Sequence, residues 1–366
     1  MCMESRKRYG RHTNMKRLER LPFVILAMLS LITGLLAGLQ RIGWNLPINN
    51  ILPDHGAIMV GGFLGTLIIL EKIIPLKRNI LYVFPIISGA SVVLFFIGQP
   101  IYSVACLVFA SAGLSIIFFI YWIREKSSIY FLMVAGAICW LTGNILLIIH
   151  NFYPVSLPWW MAFVLLIITA ERLELMKFLP VSRNQKLIFI GMLLTFVTGC
   201  LISFHGVGNY LAALSLVGSS IWLLRHDVVA LNLKKRDLPR YVGVALLSGY
   251  FALLLSGIFL SLLTEQPLEY DILVHSFFIG FVFSMIFAHG PIILPGVLGI
   301  SAKPYHPIFF VWLALLHGSW ITRAISDITL DMQLRKYSGL ISGIAIIGYF
   351  LSLAVITIRI QRGKAV

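Results

Sequence analysis

Residues 271–298 read DILVHSFFIGFVFSMIFAHGPIILPGVL, one long apolar run broken by two histidines, His275 and His289. As a helix, this spacing returns to within roughly 40° of the same face and covers roughly 21 Å along the axis. Both rings can therefore look into one bundle interior at two depths. An imidazole within a membrane segment is costly enough to count as a functional candidate from the outset.

The rest of the chain is equally apolar. Of 366 residues, 59% are hydrophobic and 12% charged, and mean hydropathy is +0.93. A water-soluble domain of this length could not bury so much apolar surface, so the chain belongs in a bilayer. Apolar runs long enough to span about 30 Å of hydrocarbon as a helix recur throughout. The expected fold is all-α, a polytopic integral membrane bundle of about 12 transmembrane helices near 21–39, 54–74, 80–97, 101–123, 128–150, 157–179, 186–204, 208–225, 241–263, 271–294, 305–323 and 338–359. Residues 1–20 form a basic N-terminal segment and 21–360 a single transmembrane domain. No cleavable signal peptide is expected, because the basic segment runs into a full-length apolar stretch.

Charge distribution predicts orientation. With the N-terminus in the cytoplasm, every Lys and Arg except Arg41, Arg323, Arg335 and Lys336 falls on the cytoplasmic side, including Arg6, Lys7, Arg8, Arg11 and the run Lys234, Lys235, Arg236. That bias is the positive-inside pattern and implies an even number of spans with both termini inside. The net charge of +15 is thus assigned to topology and the lipid bilayer, with no nucleic-acid partner. Cys2, Cys106, Cys139 and Cys200 are scattered without CxxC or CxxCH spacing, which leaves iron–sulfur ligation and covalent haem attachment unsupported. No internal repeat is evident, which weakens an inverted-repeat transporter.

In this topology His55, His150, His205, His275 and His317 fall in the outer half, and His12, His226, His289 and His306 in the cytoplasmic half. His150 and His205 sit at helix ends and read as interfacial polar residues. His55, His275 and His317 adjoin continuous apolar helix. Pro53 and Asp54 suit the start of a helix that His55 opens. The glycines Gly56, Gly61, Gly62 and Gly65 behind it allow either close helix packing or a flat cofactor against the backbone. Two histidines on different helices at matching depth are what a bis-imidazole haem iron requires.

The stretches HGAIMVGGFLGTLI, from His55, and HSFFIGFVFSMIFAHGPII, from His275, resemble the histidine helices of the NnrS family and, more distantly, those of subunit I of the haem–copper oxidases. In the oxidases a low-spin haem is held by histidines of the second and tenth crossings, where His55 and His275 lie here. The resemblance implies an oxidase subunit I-like bundle in a prokaryotic cytoplasmic (inner) membrane. It further implies one b-type haem on His55 and His275, and a role in electron transfer or the handling of nitric oxide or another small gas. A quinone or a redox protein would be the partner. The chain departs from the oxidases at Phe277, where they carry a second histidine, and in lacking the copper-binding histidines of the sixth and seventh crossings. An intact binuclear centre is not expected. The histidine–threonine–glycine stretch of the NnrS family is here His289, Gly290, Pro291.

Arg323 and Arg41 are candidates to pair with haem propionates, the competing reading being that both snorkel into headgroups. His317 is a candidate hydrogen-bond partner or third metal ligand, and His289 a further metal candidate for a second haem or copper. Ile69 stands where a second haem would need its partner histidine. Glu171, Arg172 and Glu174 end the sixth crossing near the depth of His289, with His226 and Asp227 just after the eighth. Glu171, Glu174 and His289 could relay protons or ions, or the charges could simply end the helix at the headgroups. A proton-coupled secondary transporter using these residues is the alternative function, and a structural membrane subunit the third.

Overall fold

A computed structural model describes residues 17–47, 51–263, 266–300 and 303–363. Most of the basic N-terminal segment, with Arg6, Lys7, Arg8, Arg11 and His12, lies outside the described residues.

Every regular element among the described residues is helical. Twelve long helices follow one another: α1 (Leu21–Arg41), α2 (His55–Leu76), α3 (Asn79–Phe96), α4 (Pro100–Glu125), α5 (Ser128–His150), α6 (Tyr153–Phe178), α7 (Arg183–Ser203), α8 (Gly208–His226), α9 (Asp237–Leu262), α10 (Glu269–Val297), α11 (Ile308–Thr329) and α12 (Met332–Gly363). All but α8 are long and apolar enough to cross a membrane. The expected eighth crossing is a 19-residue helix, but Asn209, Arg225 and three serines lower its hydropathy. It packs between α7 and α9, where Ser215, Ser219 and Ser220 are buried.

Local chemistry explains the breaks. Pro22, Pro100 and Pro154 stand in the first turns of α1, α4 and α6, where the missing N–H costs no intrahelical bond. Ser127 and Ser182 cap α5 and α7, the latter in a reciprocal capping box with Gln185. Lys126, Asn151 and Leu330 take left-handed backbone angles at the tight turns after α4, α5 and α11. Some ends differ from the sequence expectation. α6 starts at Tyr153 rather than 157, and α11 runs to Thr329 rather than stopping at 323. Arg323 is 4% exposed, so its charge marks an interior contact and not a headgroup boundary.

Two helices are irregular in the same way. Directly after His55, residues Ile58–Gly65 of α2 widen into a π-helix, and directly after His275, Ser276–Val282 of α10 do the same. Wider turns of this kind are frequent at functional sites. Phe63 of the first irregular segment stacks on Phe283, the residue that follows the second, with ring centroids 6.1 Å apart and Phe350 of α12 edge-on to Phe63. Further along the core, Phe287 stacks on Tyr349, whose hydroxyl donates to the Phe287 carbonyl. Outward-facing Ile116, Leu201, Leu214 and Leu351 are more than half exposed, as lipid-facing residues of a bundle would be.

Candidate functional site

A cavity of about 560 Å³ opens between α1, α2, α6, α10 and α12, above the floor formed by Phe63 and Phe283. Its volume is in the range of small-molecule and cofactor sites. His55 and His275 both line it, as do Arg41, Tyr153, Asp271 and Arg323.

Both histidines are fixed in the same tautomer. His55 Nδ1 lies 2.6 Å from the Gly34 carbonyl oxygen, and His275 Nδ1 lies 2.9 Å from that of Asp271. A carbonyl only accepts, so each Nδ1 carries the hydrogen and donates. In the neutral ring Nε2 then holds a lone pair. Neither Nε2 has a hydrogen-bond partner among the described residues. Histidines that bind metal are commonly oriented by this kind of donation.

α1 carries the seat for His55. A Cβ on Gly38 would stand 2.8 Å from Cε1 of the ring, and one on Gly34 would stand 2.5 Å from Met59 Sδ. The missing side chains let the first turn of α2 lie against α1, with the imidazole between Gly38 and the Gly34 carbonyl. Gly56 faces the cavity beside Trp160, but Gly61 packs on Leu107, Gly62 on Ser30 and Gly65 on Trp140. Three of the four glycines of α2 therefore serve helix packing, not cofactor approach.

Charge at this end of the cavity is organised as a four-membered cluster. Asp271 receives two hydrogen bonds from Arg323, at 2.9 and 3.1 Å, and lies 3.0 Å from Arg335. Arg335 also reaches Asp327 at 2.8 Å, and Arg323 stands 4.0 Å from the same carboxylate. Two guanidinium groups and two carboxylates balance, and they tie α10, α11 and α12 together. Asp271 Oδ1 is also 3.4 Å from His275 Nδ1. Arg323 thus lines the cavity already neutralised. Arg41, in the last turn of α1, is exposed and has no ion-pair or hydrogen-bond partner among the described residues. On α6, the Tyr153 hydroxyl donates to Asp54 across 2.5 Å. Burial pushes the Asp54 carboxyl above its usual value, and this hydrogen bond works against the rise.

The remaining candidates lie elsewhere. His317 meets Ser284 Oγ at 2.6 Å through Nε2 and is outside the cavity lining. His289 is in a second buried cluster. Its Nδ1 donates to the Met285 carbonyl, so Nε2 accepts from Arg172 Nη1, 2.6 Å away. Arg172 also clasps Asp227 through Nε and Nη2 at 2.9 and 2.8 Å, and the Tyr250 hydroxyl donates to the same carboxylate. Both nitrogens of His289 are engaged, which leaves no lone pair for a metal in this arrangement. Glu171 is held by Lys72 at 2.7 Å, and Lys72 also meets Glu71. Glu174 pairs with Lys177 at 3.4 Å on the surface. Arg172 joins His289 while the two glutamates turn away. His205 meets the Pro154 carbonyl, and His226 stacks on Trp222. Among the described residues no three His, Cys, Asp or Glu side chains converge as a metal-binding group.

Gly34, Gly38, Tyr153, Asp271, Asp327, Arg335 and Tyr250 were not singled out as site residues from the sequence, whereas Asp227 was grouped with Arg172 and His289 there and does join them. Asp271 carried a usable signal, standing one helical turn before His275 inside an apolar helix. For Asp327 and Arg335 the signal was their separation by eight positions across a turn.

These features define a polytopic helical bundle with a membrane-type exterior and an interior cavity served by two histidines. The chain belongs to the family described as a domain of unknown function, DUF8744, whose profile matches residues 20–358. No curated protein and no solved structure gives a match.

Proposed function

We propose that this protein binds one b-type haem in the cavity, with His55 and His275 as its two axial ligands, and acts in membrane electron transfer. The observation that carries the reading is the shared tautomer: two imidazoles from α2 and α10 face one cavity, each donating from Nδ1 to a backbone carbonyl and each keeping Nε2 for a ligand. When bound, the haem supplies a one-electron carrier whose potential follows from its axial ligands and surroundings. Phe63 and Phe283 provide an apolar wall, and the carbonyls of Gly34 and Asp271 hold the two rings in orientation. Arg41 offers an unpaired guanidinium for a propionate, and the Asp271–Arg323 pair supplies a second polar edge.

Two protein ligands would saturate the iron, which favours electron transfer over gas binding. Nitric oxide or small-gas handling is the less favoured alternative within this reading, while the oxidase-like and NnrS-like kinship, a prokaryotic inner-membrane location and termini facing the cytoplasm are parts of the same proposal. The carrier alternative depends on Glu171 and Glu174 acting with His289. Lys72 and Lys177 hold those carboxylates apart from the imidazole, so the haem reading has the stronger support.

Purification in mild detergent from haem-replete cells, followed by reduced-minus-oxidised spectroscopy, tests the proposal. A sharp reduced α-band lost in both His55→Ala and His275→Ala is the expected result. Colourless wild-type protein would overturn it.

A further inference from the structure

α6 meets the turn that carries His55 at two points, one on each side of the histidine in sequence. The Tyr153 hydroxyl donates to Asp54, and the six-membered ring of Trp160 lies over Gly56, where a β-carbon would stand 3.4 Å from Cζ3. Tyr153 and Trp160 are about two helical turns apart and project from one face of α6. They stand edge to face with ring centroids 6.0 Å apart, and both line the cavity.

Trp160 is held in turn by a polar side chain in the apolar core. Its Nε1 donates to Asn144 Oδ1 of α5 across 3.0 Å, and Asn144 Nδ2 donates to the Leu107 carbonyl and to Ser111 Oγ of α4, each at 3.2 Å. Asn144 and Trp160 are both buried. Gly143 lets the indole lie this close to α5, since a β-carbon there would stand 2.8 Å from Trp160 Nε1. An indole N–H only donates and a carbonyl only accepts, so the Asn144 amide can sit one way round, with its oxygen toward α6 and its nitrogen toward α4. Both amide hydrogens and the amide oxygen are thereby used. An amide buried in a bundle is costly unless its partners are in place; here the partners fix the plane of the indole.

We propose that Asn144 is a positioning residue for the haem ligand His55. By fixing the Trp160 indole over Gly56 it holds the first turn of α2 against α1, so that the His55 Nδ1–H stays on the Gly34 carbonyl and Nε2 stays free for the iron. The route runs from α4 through Asn144 and Trp160 to the backbone beside the imidazole, and the Tyr153 hydroxyl secures the residue on its other side. A rotated indole would withdraw that support and loosen the turn from Gly34. The inference deepens the haem reading and rests on it only for what His55 binds, because the seating of the ring belongs to the protein alone.

Asn144→Leu keeps the branched shape and removes the acceptor for the indole. Two readouts are taken on the full chain in detergent: amide hydrogen exchange across residues 54–58, and low-temperature electron paramagnetic resonance of the ferric haem, whose g-values follow the relative orientation of the two axial imidazole planes. Ser220→Ala, which removes a buried hydrogen bond to the Tyr250 carbonyl away from the cavity, is the control for lost stability alone. Exchange on the order of fivefold faster than in wild type and control is expected from the loss of one buried hydrogen bond, together with shifted g-values or a second low-spin signal. Trp160→Phe, which removes the donor, should act alike if Asn144→Leu does not fold. Exchange no faster than in the control, or a single low-spin signal unchanged from wild type, would each overturn the proposal. Colourless wild-type protein would sink the haem reading alone, and the exchange measurement would then decide the role of Asn144 by itself.

Discussion

Gly38 lies directly against the ring of His55, so close that a β-carbon would stand 2.8 Å from Cε1. One residue of α1 thereby sets where the imidazole of α2 can sit. Gly38→Ala should keep the helix, since alanine is the better helix former, but displace the ring. Forcing a methyl group into filled space costs about 1–3 kcal/mol, which corresponds to a fall in haem affinity of about 5- to 150-fold. Haem content per mole of protein, with far-UV circular dichroism as the folding control, checks it; unchanged content would show that the ring is not seated there.

The buried ion pair of Arg172 and Asp227 should behave asymmetrically. Both side chains are essentially inaccessible, at 3% and 0%. Asp227→Asn alone leaves a buried guanidinium without its counter-charge and should cost about 3–5 kcal/mol. The double replacement Arg172→Met with Asp227→Leu removes both charges and should recover most of that loss. Thermal unfolding in detergent distinguishes the two, and equal destabilisation of single and double variants would contradict the account.

Asp271 holds Arg323 in a two-pronged hydrogen bond and stands beside Arg335 and His275. Asp271→Asn preserves shape but breaks the balance of two arginines and two aspartates. Because the Asp271 side chain is 18% exposed, the expected loss is below that of the fully buried pair, at about 2–3 kcal/mol. In the haem-loaded protein the same variant should also shift the midpoint potential, since a negative charge near the ligand is removed. A stability change without any potential shift would confine Asp271 to a structural role.

Tyr153→Phe should reveal itself through pH. Burial raises the Asp54 carboxyl and the Tyr153 hydroxyl opposes that rise, so removing the hydroxyl raises it further. A folded-state value above the unfolded one means the ionised carboxyl opposes folding. The penalty of Tyr153→Phe is therefore small in acid, where the carboxyl is protonated in both states, and grows as pH rises past the Asp54 values. At neutral pH it should reach about 1.5–3 kcal/mol, as for a hydrogen bond to a charged group. Melting temperatures of both proteins from pH 4 to pH 8 test the sign; a gap that narrows with rising pH would refute it.

The helices were legible because periodicity of apolar residues and the length of each run are local properties. The placement of His55 and His275 on the second and tenth helices was legible for the same reason. The sequence marked Arg323 as a candidate propionate partner, and it does line the cavity, but Asp271 has already claimed its charge. His289 and Glu171 looked like one cluster by depth along their helices, and Arg172 and Lys72 separate them. Depth is readable from the sequence; rotation of a helix about its axis is weakly so when nearly every face is apolar.

Composition and run length alone thus determined a helical, membrane-type chain and which helices carry His55 and His275. Only tertiary packing decided that Gly34 and Gly38 would seat one of those rings, that Asp271 would join two arginines, and that Asn144 would meet the Trp160 indole. These outcomes depend on which side chain meets which across helices up to some three hundred positions apart. A bundle apolar on all sides carries little local information about that pairing.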